Sequence, residues 1–128
     1  MVFLNSKNSK NQKESSYFTF KAGYQLKSHK HYDDLSLIYF HKGEDIFIDS
    51  GKYTYDSKNP KKAYIVSPSA HTTIHKVYDS YELENSVIDS ERLKINFVHE
   101  NNKYIHIGAV NNLYKKLIIY RDIMYLKM

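Results

Sequence analysis

Residues 35–49 read LSLIYFHKGEDIFID. Two runs of apolar, aromatic and β-branched character, Leu35–Phe40 and Asp45–Asp49, flank the polar four His41-Lys42-Gly43-Glu44. Branched and aromatic side chains suit a pleated, half-buried surface. A glycine between two such runs supplies the positive φ that a tight turn between strands requires. The stretch predicts a β-hairpin.

Working outward, Tyr17–Leu26 is a strand candidate interrupted at Gly23. Gly51–Lys62 carries Gly51, Asp56-Ser57, Asn59-Pro60 and a lysine pair, which predicts a loop. Strands are expected again at Thr72–Val77, Arg92–His99, Lys103–Val110 and Leu117–Leu126, with a turn at Glu100-Asn101-Asn102. No window of helical length shows a 3.6-residue apolar period. Residues 1–16 are nearly all polar and read as a linker or disordered N-terminus, leaving 17–128 as the folded part. Short strands at this spacing predict an all-β fold, an antiparallel β-sandwich or a barrel.

Composition narrows the function classes. The chain has 128 residues with 13 Tyr and 6 Phe, which argues against disorder over most of it. No apolar run approaches the roughly 18 residues of a membrane helix, so no membrane span is expected. Val2-Phe3-Leu4 is too short for the apolar region of a signal peptide, and the compartment stays open. There is no cysteine, so disulfides and thiolate metal sites are excluded, and any metal must be held by His, Asp or Glu. The net charge of +5 favours polyanions, yet the lysines are dispersed rather than gathered into a nucleic-acid arm. A solvated surface explains these lysines about as well as a partner does, and an acidic polysaccharide suits the balance as readily as RNA.

The chemistry concentrates in SHKHYDDLS, residues 28–36, where His29 and His31 stand at i and i+2. In an extended strand two such side chains share one face with Cα atoms about 6–7 Å apart. That spacing suits two ligands of one metal, or one ligand beside a catalytic residue. Asp49 ends the second run of the hairpin, which returns it toward His31, and His71 follows the loop in SAHTT, residues 69–73. Imidazoles plus a carboxylate form a zinc set with an open fourth position. In a chain holding 7 histidines the pair also reads as surface decoration.

The stretch SHKHYDDLSLIYFHKGEDIFIDSGKYTYD, followed by SPSAHTTI, resembles the heparinase II/III family of polysaccharide lyases. The matching positions are His29, His31, Asp33, Leu35, Ser36, Gly43, Asp49, Gly51, Tyr53, Tyr55 and His71. The resemblance runs from about Phe18 to Thr73, and more weakly to Arg121. Thr72 stands where the family has Asn, Ser50 where it has Pro, and Lys61-Lys62 where a basic pair usually contains Arg.

The resemblance implies a heparinase II/III-like C-terminal β-sandwich over 17–128. It implies a zinc ion, mainly structural, held by His31, Asp49 and His71, with His29 in catalysis. It further implies cleavage of uronic-acid polysaccharide by β-elimination, with an acidic polysaccharide and no nucleic acid as partner. The parent protein it implies is extracellular, periplasmic or at the cell surface, the alternative being cytoplasmic. Family sandwiches are longer, so the chain is expected to be an incomplete sandwich. An N-terminal α/α toroid is the expected partner domain, and the exposed sheet edges are expected to self-associate. Without the toroid the chain is expected to be inactive. Tyr53 and Tyr55 are substrate-binding candidates, since loop tyrosines are more often packing or sugar-stacking residues than acid–base groups.

Two other readings compete. A cupin-type metalloprotein has Gly23 six residues before His29, but its motif needs Glu where Leu35 and Ser36 stand. A non-catalytic carbohydrate-binding or interaction module needs only a tyrosine-rich basic surface.

Overall fold

The hairpin closes on Lys42-Gly43, with φ of 47° and 92°. Positive φ at both central residues is the twist-compatible two-residue turn, and glycine takes the second position without steric cost. The computed structural model describes residues 1–5, 11–23, 30–79 and 81–127. The chain divides into two compact units, one of residues 1–21 and 30–74, the other of residues 22–29 and 75–128.

The first unit is built on a four-stranded antiparallel sheet in the order β1 (Val2–Asn5), β2 (Ser16–Lys21), β3 (Ser36–His41) and β4 (Glu44–Phe47). Along β2 the even positions Ser16, Phe18 and Phe20 are buried, while Tyr17, Thr19 and Lys21 are half-buried on the other face. Burying one large apolar side chain contributes roughly 1.5–3 kcal/mol, so Phe18, Phe20, Leu35 and Leu37 fix which face is core. A one-residue slip would invert that choice. Between Phe40 and Tyr39 the pairing skips Ile46, a bulge that bends β4 and re-aims the residues beyond it.

Leu35 adopts a φ of 63° although it carries a branched side chain that is fully buried. The Ser36 N–H bonds the Asp33 carbonyl at 3.2 Å, so Leu35 fills a turn position normally given to glycine. The burial of its side chain holds the backbone there. This turn delivers Asp33 and Asp34 to the start of β3.

Helix α1 (Pro60–Val66) follows the loop after β4. Asn59 caps it by accepting the Lys61 N–H at 3.0 Å, and Pro60 occupies the first helical position, where its missing N–H costs nothing. A 3-10 turn, Pro68–Ala70, then leads to His71.

In the second unit, α2 (Ser86–Arg92) is capped by Asn85, whose side chain accepts from the Val87 and Ile88 N–H groups. It runs into a three-stranded antiparallel sheet of β5 (Leu93–Glu100), β6 (Tyr104–Asn111) and β7 (Ile119–Leu126). Ile105, Ile107 and Ala109 of β6 are buried, as is Leu93 of β5. Asn101 closes the β5–β6 turn by accepting the Lys103 and Tyr104 N–H groups at 2.7 and 2.9 Å.

Gly108 lies under the Phe97 ring: a Cβ there would stand 2.2 Å from Phe97 Cε1 and 2.9 Å from an Asp122 carboxylate oxygen. Overpacking of this kind typically costs 1–3 kcal/mol. Gly108→Ala is expected to destabilise the chain by about 2 kcal/mol in urea denaturation. Phe97→Ala combined with Gly108→Ala removes the clash with the ring and leaves only the flexible Asp122 carboxylate to shift, so the double variant should lose less than the sum of the singles.

The β-rich expectation stands, with two antiparallel sheets, although two short helices accompany them. Three local expectations are corrected. Val2–Asn5, inside the stretch read as polar linker, is a strand paired with β2. The loop expected through Lys62 gives way at Pro60 to α1. Thr72–Val77 is not a strand: the Thr72 hydroxyl donates to the Leu37 carbonyl and the Thr73 hydroxyl to the Asp34 carbonyl, in place of ladder bonds. The far end of the strand expected over Tyr17–Leu26 lies outside the described residues. No helix among those described is long and apolar enough to cross a membrane.

Candidate metal centre

Three segments of the first unit converge. Asp33 precedes the Leu35 turn, Asp49 lies two residues beyond β4, and His71 follows the 3-10 turn. One ligand atom from each of the three lies within 4.8 Å of the others. Donors around a tetrahedral zinc stand roughly 3.4 Å apart, for bonds near 2.0–2.1 Å. Small rotamer adjustments therefore close the set on an ion.

His71 is the pivot. Its side chain is fully buried, and Nδ1 lies 2.7 Å from Asp49 Oδ2. Asp49 is itself aimed by the Gly51 N–H, which donates to Oδ1 at 2.7 Å. With the proton on Nδ1 facing the carboxylate, the lone pair sits on Nε2. That nitrogen is buried and has no hydrogen-bond partner, and neither has Asp33 Oδ1. Buried polar atoms without partners cost roughly 1–3 kcal/mol each. A cation bound at such an atom removes that cost, and an imidazole oriented by a carboxylate on its other nitrogen is the usual form of a metal-ligating histidine. The donor set fits a divalent metal.

Two lysines hold the acidic side of the centre. Lys21 Nζ donates to Asp33 Oδ2 at 2.5 Å. Lys30, nearly buried, donates to Asp34 Oδ2 at 2.6 Å and to the His31 carbonyl at 2.8 Å, and sits 3.6 Å from Asp33 Oδ1. Burial alone would raise the Asp33 carboxyl. The Lys21 hydrogen bond and the charges of Lys21, Lys30 and His71 outweigh it, so Asp33 lies below the usual carboxylate range.

The His31 ring centroid is 5.4 Å from that of His71, with the planes tilted by 47°. Burial pushes the His31 imidazole down, with His71 and Lys21 adding to that and Asp33 and Asp49 opposing it. His31 is thus neutral near pH 7 and keeps a lone pair. Threonine side chains secure the neighbouring backbone: Thr72 bonds both the Leu37 N–H and its carbonyl, and Tyr32 N–H reaches the Val66 carbonyl at 2.9 Å.

A family model described as heparinase II/III-like, C-terminal, matches residues 3–127. The chain belongs to the heparinase II/III-like C-terminal family. No curated protein and no solved structure matches it. The match covers both sheets, including β1 and β5–β7, which the motif resemblance reached weakly or not at all.

For this heparinase II/III-like domain, the structure brings Asp49 and His71 into direct contact and sets His31 beside them. It adds Asp33, which the sequence offered as part of the His-x-His-x-Asp pattern and not as a ligand. The signal was present: Asp33 stands at i+2 from His31, the same spacing that joined His29 to His31. His29 lies outside the described residues. Tyr53 and Tyr55 sit on the exposed loop after Gly51, each facing a lysine: Lys52 Nζ lies 3.1 Å from the Tyr55 ring centroid and Lys61 Nζ 5.8 Å from that of Tyr53. A hydrogen bond from Lys52 and its charge hold the Tyr55 phenol below its ordinary range.

Proposed function

We propose that this chain is the zinc-binding β-portion of a polysaccharide lyase that cleaves uronic-acid polysaccharide by β-elimination. The observation that carries the reading is the buried His71 imidazole, in contact with Asp49, grouped with Asp33 and carrying an unpartnered Nε2, inside a heparinase II/III-like domain. Zinc ligands in this reading are His31, Asp49 and His71, and Asp49 would exchange its hydrogen bond with His71 Nδ1 for the ion. Asp33, already paired with Lys21, adds negative charge next to the ion. The β-sandwich architecture expected of the family belongs to the same proposal.

When bound, the ion supplies a fixed link between the segment before β3, the end of β4 and the segment after α1. Elimination requires removal of the proton next to the uronate carboxylate, whose charge must first be neutralised. His29 is proposed to act at the reacting sugar, and Tyr53 and Tyr55 to stack against neighbouring sugars. The remaining acid–base groups are proposed to come from an α/α toroid. A non-catalytic carbohydrate-binding module is the second reading, favoured by the exposed Tyr–Lys pairs of the same loop.

The third ligand is decided by metal analysis of two variants. His31→Ala is expected to lower zinc affinity at least tenfold, because a ligand is lost. Asp33→Asn should retain most of the metal, with near-ultraviolet circular dichroism reporting that it is folded. The reverse pattern would assign the third position to Asp33. Equal zinc loss from His29→Ala would show that the roles of the two histidines are exchanged.

A further inference from the structure

The registers of the first sheet place Asp45 opposite Phe40, and Phe40 opposite Tyr17, so the three form one row across β4, β3 and β2 on the face away from Phe18 and Phe20. Phe3 of β1 pairs with Thr19 and therefore shares this face. Tyr17 and Phe40 stack with ring centroids 5.3 Å apart and planes within 12°. Phe3 is 62% exposed beside them. The segment carrying Lys13 and Ser15 forms one wall, fastened to the hairpin turn where the Lys42 N–H bonds the Ser15 carbonyl at 2.9 Å. The result is an open groove of about 630 Å³, with Lys13 and Asp45 among its lining residues.

Neither Lys13 nor Asp45 forms an ion pair among the described residues. An aromatic floor with a free ammonium and a free carboxylate at its rim matches a particular ligand chemistry. The C–H faces of a pyranose pack on aromatic rings, a sugar carboxylate pairs with the ammonium, and sugar hydroxyls donate to the carboxylate. Tyr17 and Lys21 lie on the same face of β2 four residues apart, about 13 Å. Lys21 is the residue that grips Asp33 of the metal centre. The groove thus opens at the far end of the strand from that centre, on the face that leads to it.

We propose that this groove is a remote subsite for an acidic oligosaccharide, with Lys13 taking a uronate carboxylate, Asp45 accepting from hydroxyls, and Phe3, Tyr17 and Phe40 forming the floor. The inference rests on the polysaccharide reading above and adds a binding site to it.

The test is a titration of the isotope-labelled full chain with a galacturonate tetrasaccharide, followed by amide shifts, with a neutral glucose tetrasaccharide alongside and zinc content measured on the same sample. Expected are saturable shifts at Lys13, Tyr17, Gly43 and Asp45, weakening as salt rises. The exposed Lys13→Gln and Phe3→Ser variants should each weaken binding about fivefold or more, as rim and floor contacts are lost. Shifts confined to residues 49–71 would overturn the groove while leaving the polysaccharide reading intact. So would zinc binding with no shifts anywhere. Equal affinity for the neutral sugar would overturn the assignment to acidic ligands. Absence of both shifts and zinc would remove the groove and the reading together.

Discussion

His71→Ala is expected to lower zinc affinity by at least a hundredfold and to abolish the thermal stabilisation that zinc gives the parent chain. The imidazole serves the centre through both nitrogens, one oriented by Asp49 and the other buried without a protein partner. Its removal deletes a ligand and also leaves two carboxylates, Asp33 and Asp49, near one another without the ring between them. Loss of an outer partner alone typically costs 10–100-fold in metal affinity, so loss of the ligand sets the larger figure. At a free zinc concentration about a hundred times the dissociation constant, binding adds roughly 2.7 kcal/mol of stability. The measurement is a pair of melting curves with and without zinc. The parent should shift by several degrees and His71→Ala should not shift. Asp49→Asn should fall between them, because a neutral amide oxygen is a weaker zinc ligand than the carboxylate it replaces.

The second expected result is an absence of turnover. The purified 128-residue chain, folded and loaded with zinc, should yield no ultraviolet-absorbing unsaturated product from uronic-acid polymers. Elimination needs carboxylate neutralisation, a base and an acid around one sugar, and in the proposed reading this chain contributes only His29 of these groups. Catalytic groups that act as a unit lose several orders of magnitude when members are removed. Product formation abolished by His29→Ala would overturn this, and would mean that these residues carry a complete active site. Binding without turnover, governed by the groove and the tyrosine loop, would leave the expectation standing.

Much of the first unit was legible because its signals are local. Gly43 between two aromatic runs specifies the hairpin, and the structure places the turn at Lys42-Gly43. Asp49 could be returned toward His31 because a hairpin brings its far end home, whereas a shared role with His71 comes from the family resemblance. Other features depend on partners that no local pattern names. β1 is only four residues long and is followed by polar sequence, so it reads as a tail until its register with β2 is known. Helices α1 and α2 have seven residues each, about two turns, too few for an apolar period to emerge. Asn59-Pro60 is as good a helix start as it is a turn. Thr72, Thr73 and Ile74 have strand character, but the two hydroxyls spend it on carbonyls of Leu37 and Asp34.

Asp33 shows the same limit at the site. Its role depends on Lys21, Lys30 and the Leu35 turn, which set its charge and its direction. None of these is visible in the spacing of the motif. The Thr72 departure from the family's Asn likewise becomes intelligible only in the fold, where one hydroxyl bonds both the N–H and the carbonyl of Leu37.

The most direct test of the account is X-ray absorption at the zinc edge on the loaded, dialysed chain, with metal content measured on the same sample. About one zinc per chain should be retained, bound only by nitrogen and oxygen at about 2.0–2.1 Å, with the outer-shell scattering of imidazole. That scattering should weaken in His71→Ala. Zinc lost on dialysis, or held in a shell of oxygens without imidazole, would contradict it.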